Sequence, residues 1–242
     1  MENVPAIKKD KAYLRIVDII IQMIAEGKVD YNDKFYNEQE LMAMLGVSRP
    51  TLREALRVLE FLDVITVSPR NGISIKEPSS RDGYPPLLYI LAFEKTTGRE
   101  IFELREALQL EMAALAAKNR SKQDLAELEK LLQNMEQQLD ADLDAFSALD
   151  YQFHLRIIEA AGNHLVMKLM NTVSPLLYNQ LLRHGQREST KQRRVTLDEH
   201  RTIVKRIAEQ DSAAARIAME QHLTDSRRDA QLETDLPVHF FR

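Results

Sequence analysis

The stretch from Asn37 to Glu60, NEQELMAMLGVSRPTLREALRVLE, constrains this chain more than any other. Its apolar residues recur at helical spacing on either side of Gly46-Val47. Leu41, Met42 and Leu45 share one face of a helix. Leu52, Ala55, Leu56 and Leu59 share one face of a second helix that opens at Ser48. Two short amphipathic helices meeting at a glycine turn make a helix-turn-helix, whose second helix enters the DNA major groove. Arg49, Arg53 and Arg57 follow at i, i+4 and i+8, a basic stripe opposite the apolar face. An ordinary helical hairpin with a solvated face has the same look, so the residues that follow carry weight. Val64–Val67 is a β-rich run, Pro69-Arg70-Asn71-Gly72 is a turn whose glycine is free to take positive φ, and Ile73-Ser74-Ile75 alternates apolar and polar. A β-hairpin directly after the second helix is the wing of a winged helix. Arg70, at its tip, is placed to enter a narrow minor groove.

Charge does not advertise this role. The chain carries a formal net charge of −4, and residues 1–76 hold eleven Lys/Arg against eleven Asp/Glu. Affinity for DNA must therefore come from local placement of charge, which fits a dimer reading a defined site better than non-specific coating. With 242 residues there is room for two domains. No apolar run reaches transmembrane length, the N-terminus lacks a signal core, and cysteine is absent, which excludes disulfides and thiolate metal sites. The expectation is a cytoplasmic protein with no membrane partner.

The periodicity divides the chain into a winged helix-turn-helix over residues 1–76, a linker over 77–86 (EPSSRDGYPP), an all-helical domain over 87–235 and a tail over 236–242. The fold class is mainly α, a winged helix-turn-helix followed by an antiparallel helical bundle. A first helix over 10–26 presents Tyr13, Leu14, Val17, Ile20, Ile21 and Ile24 as its apolar stripe, and Gly27 closes it. Six helices follow the linker. One starts at Thr97-Gly98 with Ile101, Leu104, Leu108 and Met112 inward. The next is capped by Ser121 with Asp124 three residues on. A third covers 141–161, and a fourth runs from Asn163 to Arg183 across Pro175. After a polar stretch, His184–Arg194, Thr196 begins a fifth, and Asp211 or Ser212 caps a sixth.

The bundle holds a second constellation. Asp150 and His154 lie four apart on one helix and point to one side. His200 and His222 stand about equally far from the turn at Gln210-Asp211, so an antiparallel hairpin sets them level. Three imidazoles and one carboxylate suit a divalent metal ion, zinc first, with nickel or manganese as alternatives. Against this stands the ordinary fate of a helical histidine, a surface position or a satisfied core position. His164 follows a helix stop, His184 sits in a polar loop and His239 in the tail. Arg105 lies at the edge of the first bundle helix's apolar stripe. It either snorkels to water or turns inward onto a carboxylate.

The segments NEQELMAMLGVSRPTLREALRVLE, PRNGISI, DYQFHLRIIEAAGNHL and DEHRTIVKRIAEQDSAAARIAMEQHL resemble the GntR family of bacterial transcription regulators. The likeness is to its FadR-like branch with a helical, FCD-type ligand domain, over residues 10–230. The resemblance implies a homodimer that binds a palindromic double-stranded operator. Arg49, Thr51 and Arg53 are then recognition-helix contacts, with Ser48 at the helix start and Asn71 and Gly72 at the wing tip. It implies a metal site at Asp150, His154, His200 and His222, matching all four positions of the metal-binding branch. It also implies that Arg105 meets the carboxylate of a small carboxylic or sugar-acid effector rather than a long acyl chain. Two departures stand out. Gln39 occupies a position where many members carry arginine, and Phe35-Tyr36 replaces the usual proline.

The combined expectation is a regulator, commonly a repressor, whose operator affinity changes when an organic acid enters the bundle and shifts helices against the linker, altering the spacing of the recognition helices. Two rivals stay open at this level. A histidine-lined metal site could activate water in a hydrolase, with Glu159 or Glu199 as general base. Alternatively, the metal is structural and the chain binds DNA constitutively.

Overall fold

The computed structural model describes residues 12–29, 35–68, 72–77, 83–140, 143–183 and 189–229. They fall into two compact units, Met1–Pro78 and Ser79–Arg242.

The first unit contains α1 (Ala12–Ala25), α2 (Glu38–Leu45), α3 (Arg49–Phe61), β1 (Ile65–Ser68) and β2 (Gly72–Ile75). Local chemistry sets each boundary. Asn37 accepts the Glu40 backbone N–H at 2.9 Å, and the Glu40 carboxylate accepts the Asn37 N–H at 2.8 Å. This reciprocal box satisfies two N–H groups that a helix start otherwise orphans. Gly46, at φ 63°, ends α2 in the left-handed conformation that glycine adopts without strain. Pro50 follows in the first turn of α3, where its missing N–H costs nothing. Ser48 occupies the N-cap position, but its hydroxyl pairs with Thr51 Oγ1 at 2.8 Å instead of capping the backbone.

Leu41, Leu52, Ala55, Leu56 and Leu59 are buried, as the spacing requires, together with Ile16, Val17 and Ile20 of α1. The α1 stripe is rotated from the expected one. Ile16 is inside, whereas Leu14 and Ile21 are exposed, because α1 packs on α3 and only the side facing α3 is covered. β1 and β2 pair antiparallel, Ile65 opposite Ile75 and Ser68 opposite Gly72, which takes φ 74° as the turn demands. The Phe35 N–H donates to the Ile73 carbonyl at 2.9 Å, tying the entry to α2 onto this hairpin. Arg70 and Asn71 lie outside the described residues.

The second unit is α4 (Pro85–Phe93), α5 (Gly98–Asn119), α6 (Lys122–Gln137), α7 (Leu143–Ala161), α8 (His164–Arg183), α9 (Thr190–Ala208) and α10 (Ser212–Asp229). α5 is the central element, packed against α7, α8, α9 and α10. Its core includes Ile101, Phe102, Met112, Phe146, Phe153, Met170, Ile203 and Met219. Thr97 with Glu100, Ser121 with Asp124, and Ser189 with Gln192 form capping boxes. Asp211 Oδ1 accepts the Ala214 N–H at 2.9 Å and caps α10.

Three features differ from the sequence reading. α4 is an additional helix, and Pro85-Pro86, read as linker, form its first turn, where proline is tolerated. The chain ahead of it is pinned to α8: the Tyr84 N–H donates to Thr172 Oγ1 at 2.6 Å. A Cβ on Gly83 would stand 3.2 Å from the Asn171 carbonyl oxygen, so this close approach favours glycine. α9 starts at Thr190 rather than Thr196, because the Ser189 box nucleates it inside the polar stretch. Leu104 is 42% exposed, and Phe102, beside Ile101, takes the inward place. The remainder of the expected linker (78–82), His184, and the tail with His239 lie outside the described residues.

Candidate metal centre and DNA-binding face

α9 and α10 turn back on each other through Glu209–Asp211, with Gln210 at φ 58°. The turn is held by Arg120, whose Nη2 donates to the Ala208 carbonyl at 2.7 Å. This hairpin sets His200 and His222 level, their Nε2 atoms 3.2 Å apart. α7 supplies His154, whose Nε2 is also 3.2 Å from His222 Nε2. One turn earlier, Asp150 places Oδ1 3.5 Å from His200 Nε2 and 3.9 Å from His154 Nε2. The four donor atoms all lie within 4.8 Å of one another. Ligands bound at about 2.0–2.1 Å to one ion stand about 3–4 Å apart, so the spacing suits a common divalent cation.

The surroundings agree. His154, His200 and His222 are buried and Asp150 is half-buried. Burial first, then Arg105 and the neighbouring imidazoles, hold His154 well below the ordinary histidine value. Burial, then His222 and Arg105, do the same for His200. Both are neutral at physiological pH, the form a metal requires. In His154 and His200 the Nδ1 atoms are buried with no hydrogen-bond partner among the described residues. Three imidazole nitrogens crowded in this way satisfy one another poorly, and a cation at their centre answers the crowding. Phe153 stacks on His200 with centroids 3.9 Å apart at 18°, fixing that ring.

Arg105, on α5, is half-buried and donates through Nε to Gln109 Oε1 at 3.3 Å. Burial lowers its pKa, while Asp150 and Tyr151 raise it. Its charge in turn opposes the rise that burial imposes on the Asp150 carboxyl. The guanidinium is thus coupled electrostatically to Asp150 and to the neighbouring histidines. His164, by contrast, is exposed at the start of α8.

In the first unit Arg49, Arg53 and Arg57 are exposed on α3, with Thr51 half-exposed. Arg53 Nε donates to both Glu38 carboxylate oxygens, at 3.0 and 3.2 Å, and Arg49 Nε lies 4.0 Å from Glu38 Oε2. An exposed pair of this kind contributes little stability. Its effect is to hold the two arginine side chains against α2, with Glu38 as their shared partner. The i, i+4 arithmetic found the arginines but not this partner, which depends on how α2 crosses α3.

Comparison with known proteins agrees with both halves. Residues 12–75 match the family described as bacterial regulatory proteins, gntR family, and residues 100–225 match the FCD domain. The HTH-type transcriptional regulator LutR of Bacillus subtilis strain 168 is 31% identical over 208 residues, covering 84% of this chain and 94% of LutR. The chain belongs to the GntR family. The Uxu operon regulator of Haemophilus influenzae is 28% identical over 92% of this chain and 82% of its own length. The solved structure of Streptococcus agalactiae GntR superposes with a TM-score of 0.70 at 26% identity, covering 89% of this chain and 99% of that one. This GntR protein is accordingly a DNA-binding transcriptional regulator with an FCD domain. The hydrolase reading of the bundle is set aside on the same grounds. Among the described residues, no helix is long and apolar enough to cross a membrane.

The buried histidines carry a pH signature. On unfolding, His154 and His200 regain ordinary values near 6.5, so below that pH the unfolded chain binds protons the folded protein refuses. Metal-free protein should therefore be stable above the ordinary histidine value and lose stability as pH falls through it. Asp150 acts in the opposite sense: its raised carboxyl favours the folded state at low pH, and that benefit fades as pH rises from 3.8. With two histidines against one carboxyl, the melting temperature of EDTA-treated protein should drop between about pH 8 and 5. A flat profile would contradict the buried, neutral state of these rings.

Proposed function

We propose that this GntR regulator is a homodimeric repressor whose affinity for a palindromic operator is set by a small carboxylic or sugar acid bound in the helical unit. The observation that supports this most is the convergence of Asp150, His154, His200 and His222 to within 4.8 Å, with Arg105 coupled electrostatically to Asp150. On this reading the four side chains hold one divalent ion, zinc before nickel or manganese. When bound, such an ion offers coordination positions to an acid's carboxylate or α-hydroxyl oxygen. Arg105 supplies the complementary planar guanidinium and sets the register of the carboxylate. The buried rings of His154, His200 and Phe153 exclude water on their side, and the partial exposure of Asp150 leaves the way in.

Operator contact falls to Arg49, Thr51 and Arg53 on α3, with Ser48 at its start and Arg70, Asn71 and Gly72 at the wing tip. At Gln39 the contact made by the arginine common in the family is either lost or replaced. The acid changes operator affinity only by the difference in its affinity for free and operator-bound protein.

The test is operator binding by the zinc-loaded protein, measured by fluorescence anisotropy on DNA flanking its own gene, across a panel of carboxylic and sugar acids. One class of acid should weaken binding and raise the melting temperature. Acids that bind equally with and without operator would exclude coupling. A melting temperature that responds to zinc and to no acid would favour a structural metal instead. Arg53→Ala should cost about 1–3 kcal/mol of operator affinity and relax sequence preference. Unchanged binding removes Arg53 from the contact set.

A further inference from the structure

His222 differs from the other two imidazoles of the quartet in one respect. Its Nδ1 lies 2.8 Å from Glu199 Oε2, whereas Nδ1 of His154 and of His200 have no hydrogen-bond partner among the described residues. Glu199 immediately precedes His200 on α9. The two consecutive residues therefore grip His222 of α10 from opposite sides, the carboxylate at Nδ1 and the imidazole at Nε2, 3.2 Å away.

A carboxylate can only accept, so the proton of neutral His222 resides on Nδ1 and its Nε2 presents a lone pair to the centre of the quartet. His154 and His200 have no such constraint. Without metal, each can place its proton on Nε2 and donate to the lone pair of His222. To ligate an ion, each must move that proton to an Nδ1 that nothing receives. His222 alone needs no rearrangement.

We propose that Glu199 is the positioning residue of the metal site: it fixes the tautomer and ring orientation of His222, making His222 the preformed ligand around which His154, His200 and Asp150 close. This rests on the reading of the quartet as a metal site. It also gives Glu199 a role other than the general base of a hydrolase. Carboxylates hydrogen-bonded to metal-ligating histidines raise ligand basicity, and their loss typically costs about 10–100-fold in metal affinity.

Two readouts on the full-length protein test it. The first needs no metal: long-range proton–nitrogen correlation spectra of histidine-labelled, EDTA-treated protein, with His222 assigned by its replacement. His222 should be the Nδ1–H tautomer in the wild type and a mixture in Glu199→Ala. The second is zinc affinity by competition with a chromogenic chelator. Glu199→Ala should weaken it about 10–100-fold. Glu199→Gln, whose carboxamide oxygen still accepts from Nδ1–H, should retain most of it and so rule out mere loss of packing. If the wild type takes up zinc and Glu199→Ala leaves both affinity and tautomer unchanged, this inference falls and the metal site stands. If the wild type takes up no zinc, both fall together. The tautomer spectra then still report whether Glu199 orders the ring.

Discussion

Replacing His200 by alanine is expected to abolish tight uptake of a divalent ion by the metal-free protein. His200 is fully buried, with Nε2 3.2 Å from His222 Nε2 and 3.5 Å from Asp150 Oδ1, so it stands between donors from two other helices. Removing it leaves two imidazoles and a half-buried carboxylate, three donors where four converge, and takes away the donor that stands closest to Asp150. The folded protein should survive, because the lost ring carries an Nδ1 that is already unsatisfied. What should vanish is the metal-linked part of stability. A ligand present at about 100 times its Kd stabilises by about 2.7 kcal/mol, and this increment should be absent from zinc titrations followed by calorimetry. Stoichiometric zinc in purified His200→Ala would sink the four-ligand site.

How much of this was legible follows from the range of the interactions involved. Capping is local, so the starts of α5 at Thr97 and α6 at Ser121 could be read from residues three apart. The quartet was legible for a related reason. Asp150 and His154 are one helical turn apart, and His200 and His222 are symmetric about a single turn, so helix geometry alone aligns each pair. What escaped depends on how one helix is rotated against another. The inward turn of Ile16 over Leu14, and the exposure of Leu104 beside the buried Phe102, are decided by which neighbour covers the helix. The same holds for Glu199 and Glu38. Each carboxylate acts on a partner in a different helix, 23 and 15 residues away, and no periodicity within one helix reveals that. α4 was hidden because Pro85-Pro86 reads as a breaker when it is in fact a permitted first turn, and the start of α9 because its capping box lies in a run that looks like loop.

Phe153→Ala should cost the helical unit much of its stability and should weaken zinc uptake with it. Phe153 is fully buried on α7, beside His154 in sequence and stacked on His200 at 3.9 Å. Truncating a buried phenylalanine costs about 3–5 kcal/mol, from lost transfer energy and the cavity left behind. Here the cavity opens directly under the His200 ring. Without the stacked ring, His200 is free to rotate, and its Nε2 must be ordered again before it can join His222 and Asp150. Zinc affinity per folded molecule should therefore fall together with the denaturation midpoint. Leu52→Ala in the winged helix separates the two effects. Leu52 is equally buried but belongs to the other unit, so it should lower stability by about 2–5 kcal/mol and leave zinc affinity unchanged. If Phe153→Ala behaves like Leu52→Ala, losing stability but binding zinc as the wild type does, the stacked ring is packing alone. If both quantities fall, the core of the bundle is what holds His200 in place beside His222 and Asp150.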